Sequence, residues 1–121
     1  MANTFKVVNF AAEPASAGTA YKMYTVAGST TTVVLGLILT NIHSSAVTCE
    51  VELVSDTANR AVANNTANGT SFLVKDVTIP AGSSLEILSG GKVVLETTDE
   101  LKIDCSVADK LSGTLSIMEI T

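Results

Sequence analysis

The segment Val47-Thr48-Cys49-Glu50-Val51-Glu52-Leu53 decides how the rest of the chain is interpreted. Its apolar residues recur at every second position, and Thr48, Glu50 and Glu52 lie between them. Because successive side chains of a β-strand point to opposite faces, this alternation predicts a strand with one buried and one solvated face. The segment Leu101-Lys102-Ile103-Asp104-Cys105-Ser106-Val107 has the same pattern in the second half.

Short runs of this kind fill the chain, and clusters of Gly, Ser, Asn and Pro separate them. The predicted strands are 4–10, 21–26, 31–41, 47–53, 71–79, 85–88, 92–96, 101–107 and 113–120. Spacings of about ten residues between strands are typical of a sandwich or jelly roll. The sequence therefore predicts an all-β fold, a single-domain antiparallel β-sandwich (jelly-roll or Ig-like) of eight or nine strands. The 121 residues of 1–121 fit one domain and require no helix longer than one turn.

One predicted strand is apolar on both faces. In 31–41, the side chains of Val33, Leu35, Leu37 and Leu39 are expected to face the core. Val34 and Ile38 then lie on the opposite face, where water would meet an apolar patch. Either a covering loop or a partner subunit would shield that face.

The stretch 56–70 is polar and too long for an ordinary hairpin loop. It is either a solvated excursion at the edge of the sandwich or an arm that contacts a neighbouring subunit. Asn64-Asn65-Thr66 and Asn68-Gly69-Thr70 match the N-glycosylation pattern, but no secretion signal precedes them. Glycosylation is therefore not expected.

Composition indicates a surface that is partly covered in an assembly. Charged residues make up 16% of the chain, against about 25% in an ordinary soluble domain, and the mean hydropathy is +0.40. Abundant Thr and Ser are the alternative means of solvating such a surface. Seven scattered Lys and Arg against twelve Asp and Glu argue against nucleic-acid binding. The longest apolar run, Val33 to Leu39, is far shorter than the ~20 residues that span a bilayer.

No combination of residues predicts catalysis or a metal site. His43 is the only histidine and has no candidate nucleophile beside it. Cys49 and Cys105 lie on buried strand positions, and a disulfide between them is possible only if the two strands are neighbours. Two Cys and one His do not complete a zinc site. The remaining candidates are expected in solvated strands or turns: Glu50, Glu52, Asp99, Glu100, Asp104, Asp109 and Gly90-Gly91-Lys92. We therefore assign no catalytic, cofactor-binding or metal residues and expect a protein that is not an enzyme.

Carbohydrate binding is a separate hypothesis, because sugar rings pack on aromatic side chains. The chain offers Phe5, Phe10, Tyr21, Tyr24 and Phe72, and it has no Trp. Most of these residues lie early in the chain or at positions that face the core. A carbohydrate-binding or adhesion module is therefore the alternative from a different functional class.

Several segments resemble small virion structural proteins of tailed bacteriophages, marine ones in particular. The resemblance covers nearly the whole length except 56–70. The similar segments are Met1-Ala2-Asn3-Thr4-Phe5-Lys6, Tyr24-Thr25-Val26-Ala27-Gly28, Val33-Val34-Leu35-Gly36-Leu37, Thr78-Ile79-Pro80-Ala81-Gly82-Ser83-Ser84-Leu85-Glu86, Gly90-Gly91-Lys92-Val93-Val94-Leu95-Glu96, Asp99-Glu100-Leu101-Lys102-Ile103 and Leu115-Ser116-Ile117-Met118-Glu119-Ile120.

The resemblance implies a virion protein that is made in the bacterial host cytoplasm and is present in many copies. Its partners would be the major capsid protein or other virion proteins. Capsid decoration or cement is the favoured placement, and the neck, tail or fibre is the alternative. The resemblance also implies a homo-oligomer, with a trimer favoured, or else a monomer that binds a lattice of other subunits. The short apolar runs described above predict no membrane partner.

Overall fold

The computed structural model describes residues 2–55, 69–88 and 90–121, which form nine β-strands and no helix. The strands are β1 (Asn3–Glu13), β2 (Tyr21–Thr25), β3 (Thr31–Asn41), β4 (Val47–Val54), β5 (Thr70–Ile79), β6 (Ser84–Ile87), β7 (Val93–Leu95), β8 (Glu100–Cys105) and β9 (Leu111–Ile120). Most of the polar stretch at 56–70, with the first glycosylation pattern, lies outside the described residues. Its last residue, Thr70, is the first residue of β5.

The strands form two antiparallel sheets that pack face to face. The five-stranded sheet has the order β1-β9-β3-β6, with β7 also paired to β3, and the four-stranded sheet has the order β2-β8-β4-β5. Thus β1 pairs with β9, β2 with β8, β3 with β6 and β7, and β4 with β5. This pairing of the first half with the second, in reverse order, is the jelly-roll connection. The predicted all-β sandwich is confirmed, and its topology is the jelly roll.

The core lies between the sheets and is built from alternate residues of each strand. In β4 and β8 the predicted alternation is confirmed, with Cys49, Val51, Leu101 and Ile103 fully or almost fully buried. The five-stranded sheet contributes Val34, Leu37, Leu39, Leu95, Leu111, Leu115 and Ile117 to the same cluster. Burial of one such side chain stabilises the fold by roughly 1.5–3 kcal/mol.

The predicted alternation of β3 is wrong in its first half, because the strand contains a β-bulge. Val34 pairs with Ile117 and Gly36 pairs with Ser116, so Leu35 is an extra residue without a partner. A bulge shifts the side-chain alternation by one position. Val34 is therefore buried with Leu37 and Leu39, whereas Val33 and Leu35 are only half-buried. Ile38 lies on the outer face, as predicted.

Gly90 and Gly91 lie in a turn, since the Gly91 N–H donates to the carbonyl oxygen of Leu88 at 3.2 Å, but the two strands that this turn joins do not pair with each other. β6 pairs with residues 37–40 of β3, and β7 pairs with residues 32–34 of the same strand. Both run antiparallel to β3, so they follow one another along one edge of the sheet. Leu88 and Gly90, which lie between these two strands, have positive φ.

Two buried polar side chains fix the chain where strands end. The amide nitrogen of Asn41 donates to the carbonyl oxygens of Ser45 and Ile79, each at 2.9 Å, and its oxygen accepts from the backbone N–H of His43 at 2.7 Å. Asp99 was expected in a solvated turn, but it is fully buried and accepts from the backbone N–H of Glu96 at 3.0 Å. The prediction that Asp99 lies in a turn is correct, and the prediction that its side chain is solvated is wrong.

Candidate interaction surface

The outer face of the five-stranded sheet carries an apolar row that crosses four strands. Phe5 of β1 pairs with Met118 of β9, Met118 pairs with Val33 of β3, and Val33 pairs with Val94 of β7. Residues directly opposite each other in antiparallel strands have their side chains on the same face. The four side chains therefore form one line across the sheet, which we call the apolar row.

Side chains at both ends of the apolar row, and one beside it, are exposed to solvent. Phe5, Val7 and Val94 are 71%, 66% and 51% exposed, which is unusual for residues of this type on one face. The bulged Leu35 lies between two shallow depressions of about 270 and 300 Å³. Ile38 continues the surface beyond Leu35. Contiguous apolar patches on a monomer mark sites of interaction.

The outer face of the four-stranded sheet is different, because charged side chains cover it. Lys22 of β2 lies 2.8 Å from Glu100 of β8, and Lys75 of β5 lies 2.6 Å from Glu50 of β4. Each distance joins the lysine Nζ to a carboxylate oxygen. Glu52 is half-buried on the same face. The two outer faces of the sandwich thus differ, because these ion pairs lie on the four-stranded sheet and the apolar row lies on the five-stranded sheet, whose outer face also carries Glu86.

A polar network joins the two sheets near the β1 edge. The Lys6 Nζ lies 2.6 Å from one oxygen of Glu119, and the Tyr24 hydroxyl donates to the other oxygen at 2.6 Å. The same hydroxyl lies 2.8 Å from Thr32 Oγ1. The hydrogen bond from Lys6 lowers the pKa of Glu119, and the bond from Tyr24 lowers it further. Burial, together with the nearby Glu119, raises the pKa of Tyr24 to about 12. This network holds β1, β2, β3 and β9 together, and every group in it is already bonded.

The structure places the histidine in a loop and the two cysteines in strands. His43 lies in the connection between β3 and β4, where its backbone bonds to Asn41. Cys49 and Cys105 are directly opposite each other on neighbouring strands, and both are buried free thiols. Burial, followed by the neighbouring Cys105, raises the pKa of Cys49 to about 11, so the thiolate that would act as a nucleophile is disfavoured.

Three carboxylates surround a small depression on the outer face of the four-stranded sheet. Each of them contacts a lysine ammonium group or backbone N–H groups nearby. Glu50 pairs with Lys75, and Asp76 lies 3.7 Å from the same ammonium group. Asp104 accepts from the backbone N–H groups of Gly18 and Cys105. Within the described residues, no three His, Cys, Asp or Glu side chains are grouped as a metal site requires.

The aromatic residues do not share one platform. Phe10 packs edge-on against Tyr21, with 5.3 Å between the ring centroids, and the Phe10 ring lies over Gly113 of β9. Tyr24 is held in the polar network described above. Phe72 lies on the outer side of the other sheet, with the Lys75 Nζ 4.8 Å from its ring centroid. Only Phe5 of this group belongs to the apolar face.

Of the residues in the apolar row, only Phe5 was identified from the sequence as a candidate, and that was for carbohydrate binding. Phe5 and Val7 lie two positions apart and therefore share one side of their strand, but alternation does not say whether that side faces the core. The adjacent pairs Val33-Val34 and Val93-Val94 were the available signal, because two consecutive apolar residues place one on each face.

No family model matches the chain, and no curated protein matches it in sequence. Among solved structures, the fold is similar to one from work describing Bacillus endospore appendages as a novel family of disulfide-linked pili. The TM-score is 0.49 and the sequence identity is 16%, over 99% of this chain and 87% of that chain.

In the part of the chain that the structure describes, no helix has the length and apolar character needed to cross a lipid bilayer.

Proposed function

We propose that the protein is a non-enzymatic structural subunit of a tailed-bacteriophage virion that binds other virion proteins through the outer face of its five-stranded sheet. The observation that supports this proposal is the apolar row from Phe5 to Val94, on a face that no described segment covers. The virion setting rests on the sequence resemblance. Decoration or cementing of the capsid is the proposed placement, with the neck, tail or fibre as the alternative.

The physical mechanism is adhesion by buried apolar area. Removal of apolar surface from water contributes roughly 25 cal/mol per Å², and a stable interface buries about 1,200–2,000 Å² in total. A single sheet face of this size supplies only part of that area. Many copies on one particle add avidity without new contacts in each copy.

A charge placed in the apolar row tests this proposal. Val94→Lys puts an ammonium group on the face, at a side chain that is already half exposed, so the fold should persist. Thr78→Lys is the matched control, because Thr78 is an exposed residue on an edge strand of the other sheet. Particles assembled without the protein would be mixed with each variant and sedimented.

We expect the wild type and Thr78→Lys to sediment with capsids and Val94→Lys to lose at least ten-fold in affinity. If the wild type sedimented with isolated tails and not with capsids, the alternative placement in the tail would be favoured. Failure of the wild type to bind either particle, or binding by Val94→Lys equal to wild type, would contradict the proposed function.

A further inference from the structure

β1 is a long edge strand with one side open. It pairs with β9, and no other strand of the described chain pairs with it. It spans Asn3–Glu13, and Lys6 is the only charged residue in its first ten positions. Edge strands are usually shortened, charged or covered, because their free backbone groups otherwise pair with another chain. The first part of β1 shows little of this protection.

The hydrogen-bond pattern identifies which backbone groups are free. Ala2 and Thr121 exchange two backbone hydrogen bonds of 2.9 Å, so they form a hydrogen-bonded pair of the ladder. In an antiparallel ladder such pairs alternate with non-hydrogen-bonded ones. Thr4, Lys6 and Val8 therefore bond to β9, whereas the backbone groups of Asn3, Phe5, Val7 and Asn9 point to the open edge. Phe5 and Val7 thus have both a free backbone and an exposed side chain.

The sequence of this segment is close to symmetric about Lys6. In Asn3-Thr4-Phe5-Lys6-Val7-Val8-Asn9, the two ends are Asn, and Phe5 and Val7 flank the centre. If two copies of the strand run antiparallel with their Lys6 residues opposite, Phe5 of one copy faces Val7 of the other. Aromatic and β-branched residues are a favourable cross-strand pair. The free backbone groups of the two copies face one another in this same register.

We propose that two copies of this chain associate by antiparallel pairing of their β1 edges, with the two-fold axis at Lys6. Each pair of facing residues with free backbone groups exchanges two N–H···O bonds. A second copy is the occupant because the segment is complementary to itself. The two five-stranded sheets then become one continuous sheet.

The two Lys6 side chains come close together in this register, which alone would be repulsive. Each ammonium group already lies 2.6 Å from Glu119 of its own chain. The pairs Glu119–Lys6 of the two copies therefore place two negative and two positive charges side by side, and the net charge at the axis is zero.

This pairing joins the two outer apolar faces. Phe5 of one copy lies beside Val7 of the other on the same side of the sheet, so the apolar row of each copy continues into its partner. The pairing also implies a two-fold dimer, which differs from the trimer that the sequence resemblance favours. It does not depend on the virion setting, because it concerns the edge of β1 and not the particle.

The main test is Val7→Pro. Proline has no N–H and is tolerated on an edge strand where that N–H faces solvent. The substitution should leave the monomer folded and abolish dimerisation. Val94→Pro is the matched control, because by the same alternation the N–H of Val94 points away from β3 at the other edge of this sheet. Native mass spectrometry and light scattering would give the mass relative to the 12.5 kDa chain.

Lys6→Cys tests the register. Opposite residues of a non-hydrogen-bonded pair lie about 4.5 Å apart at Cα, which a disulfide spans. Oxidised glutathione would accept the two electrons and two protons released when the two introduced thiols form that bond. We expect a disulfide-linked dimer from Lys6→Cys and none from Thr4→Cys or the wild type, whose native thiols are buried.

A dimeric wild type, a monomeric Val7→Pro and a dimeric Val94→Pro support the inference. A wild type that is monomeric at millimolar concentration, a trimer, or a Val7→Pro variant that still dimerises would overturn it. A dimer that binds no particle would contradict only the proposed function. A monomer that binds particles would contradict only this inference.

Discussion

Asn41 is a single side chain that serves three backbone groups. It lies at the end of β3, is fully buried, and satisfies the carbonyl oxygens of Ser45 and Ile79 and the N–H of His43. Buried backbone groups without partners are costly, since each loses its hydration. Backbone groups at the end of a strand have no partner in the sheet, because the ladder of hydrogen bonds stops there. A buried polar side chain such as that of Asn41 supplies the missing partner.

Asn41→Ala should lower the free energy of unfolding by about 2–4 kcal/mol, since it leaves buried polar groups unpaired. Asn41→Asp should be worse, because a carboxylate cannot donate to two carbonyl oxygens and its charge is buried. Urea unfolding followed by circular dichroism would measure both. The exposed Asn9→Ala is the control, with an expected change below about 0.5 kcal/mol. An Asn41→Asp variant as stable as wild type would contradict the assigned hydrogen bonds.

Glu119 makes stability depend on pH in a predictable direction. Its pKa is lowered in the folded protein, first by the hydrogen bond from Lys6 and then by that from Tyr24. A group with a lowered folded-state pKa stabilises the fold above its unfolded pKa, and this contribution is lost as the pH falls through the folded value. Glu119→Gln should therefore lower the Tm at neutral pH, and the difference from wild type should shrink in acid.

Thermal unfolding over a series of pH values would measure this effect. Glu86→Gln is the control, because Glu86 is an exposed carboxylate on the outer face of the same sheet. A Tm difference for Glu119→Gln that stays constant from neutral to acidic pH would show that the carboxylate charge does not matter.

At the scale of the element, the bulge in β3 sets which side chains meet the core. Val34 and Leu37 both face inward although two residues, Leu35 and Gly36, separate them. Without Leu35, the strand would alternate regularly and Val34, Leu37 and Leu39 would still face inward. The bulge therefore adds one residue to the outer face and leaves the buried set intact.

Deletion of Leu35 should thus be tolerated, with retention of the β-sheet spectrum and of cooperative unfolding. Deletion of Ile38 should not be tolerated, because it reverses the alternation on one side of the deletion. Either Leu39 and Asn41 would turn away from the core, or Leu37 and the residues before it would do so. Far-ultraviolet circular dichroism and urea titration of the two deletions would compare them directly. Equal loss of structure in both would mean that the bulge is needed for folding.

Alternation of apolar and polar residues predicts which side chains of a strand are buried only where the strand has no bulge. β4 and β8 alternate without interruption on their core faces, and their buried residues were predicted correctly. In β3, by contrast, Val33, Leu35, Leu37 and Leu39 also alternate without interruption, yet the bulge breaks the strand between them. Local pattern carries no signal for it, because the bulge is defined by the pairing with Ser116 of a distant strand.

The candidate surface was less predictable than the fold for the same reason. Phe5 and Val7 alternate like core residues, but they face outward because β1 has nothing of the described chain packed on that side. Asp99 is polar and in a turn, but its side chain is buried and its carboxylate accepts a hydrogen bond from the backbone N–H of Glu96. Burial depends on which elements meet, and a single sequence does not give their arrangement.

The whole molecule has two outer faces of unlike chemistry. The charged face, with ion pairs such as Lys22–Glu100, suits contact with water. The apolar face suits contact with protein, and no segment of the described residues covers it. This difference between the two faces is what the proposed function uses, since binding is proposed only for the apolar face.

An apolar fluorescent dye should therefore bind the native protein mainly on the five-stranded sheet. Met118→Lys should reduce this fluorescence several-fold without changing the Tm by more than a few degrees, since Met118 lies in the middle of the apolar row. Thr78→Lys on the charged sheet should leave the fluorescence unchanged. Equal reduction by both substitutions would indicate that the dye reports overall charge and not the apolar face.

The position of β9 affects how the chain folds during synthesis. β9 lies between β1 and β3 and pairs with both, although it comes last in the described chain. The strands made first therefore cannot complete their sheet until residues 111–120 have left the ribosome. Until then Phe5, Val7 and their neighbours are available to neighbouring nascent chains, and slow folding with distant contacts prolongs that exposure. Overproduction at reduced temperature, or with a chaperone that binds extended apolar segments, should therefore raise the soluble yield.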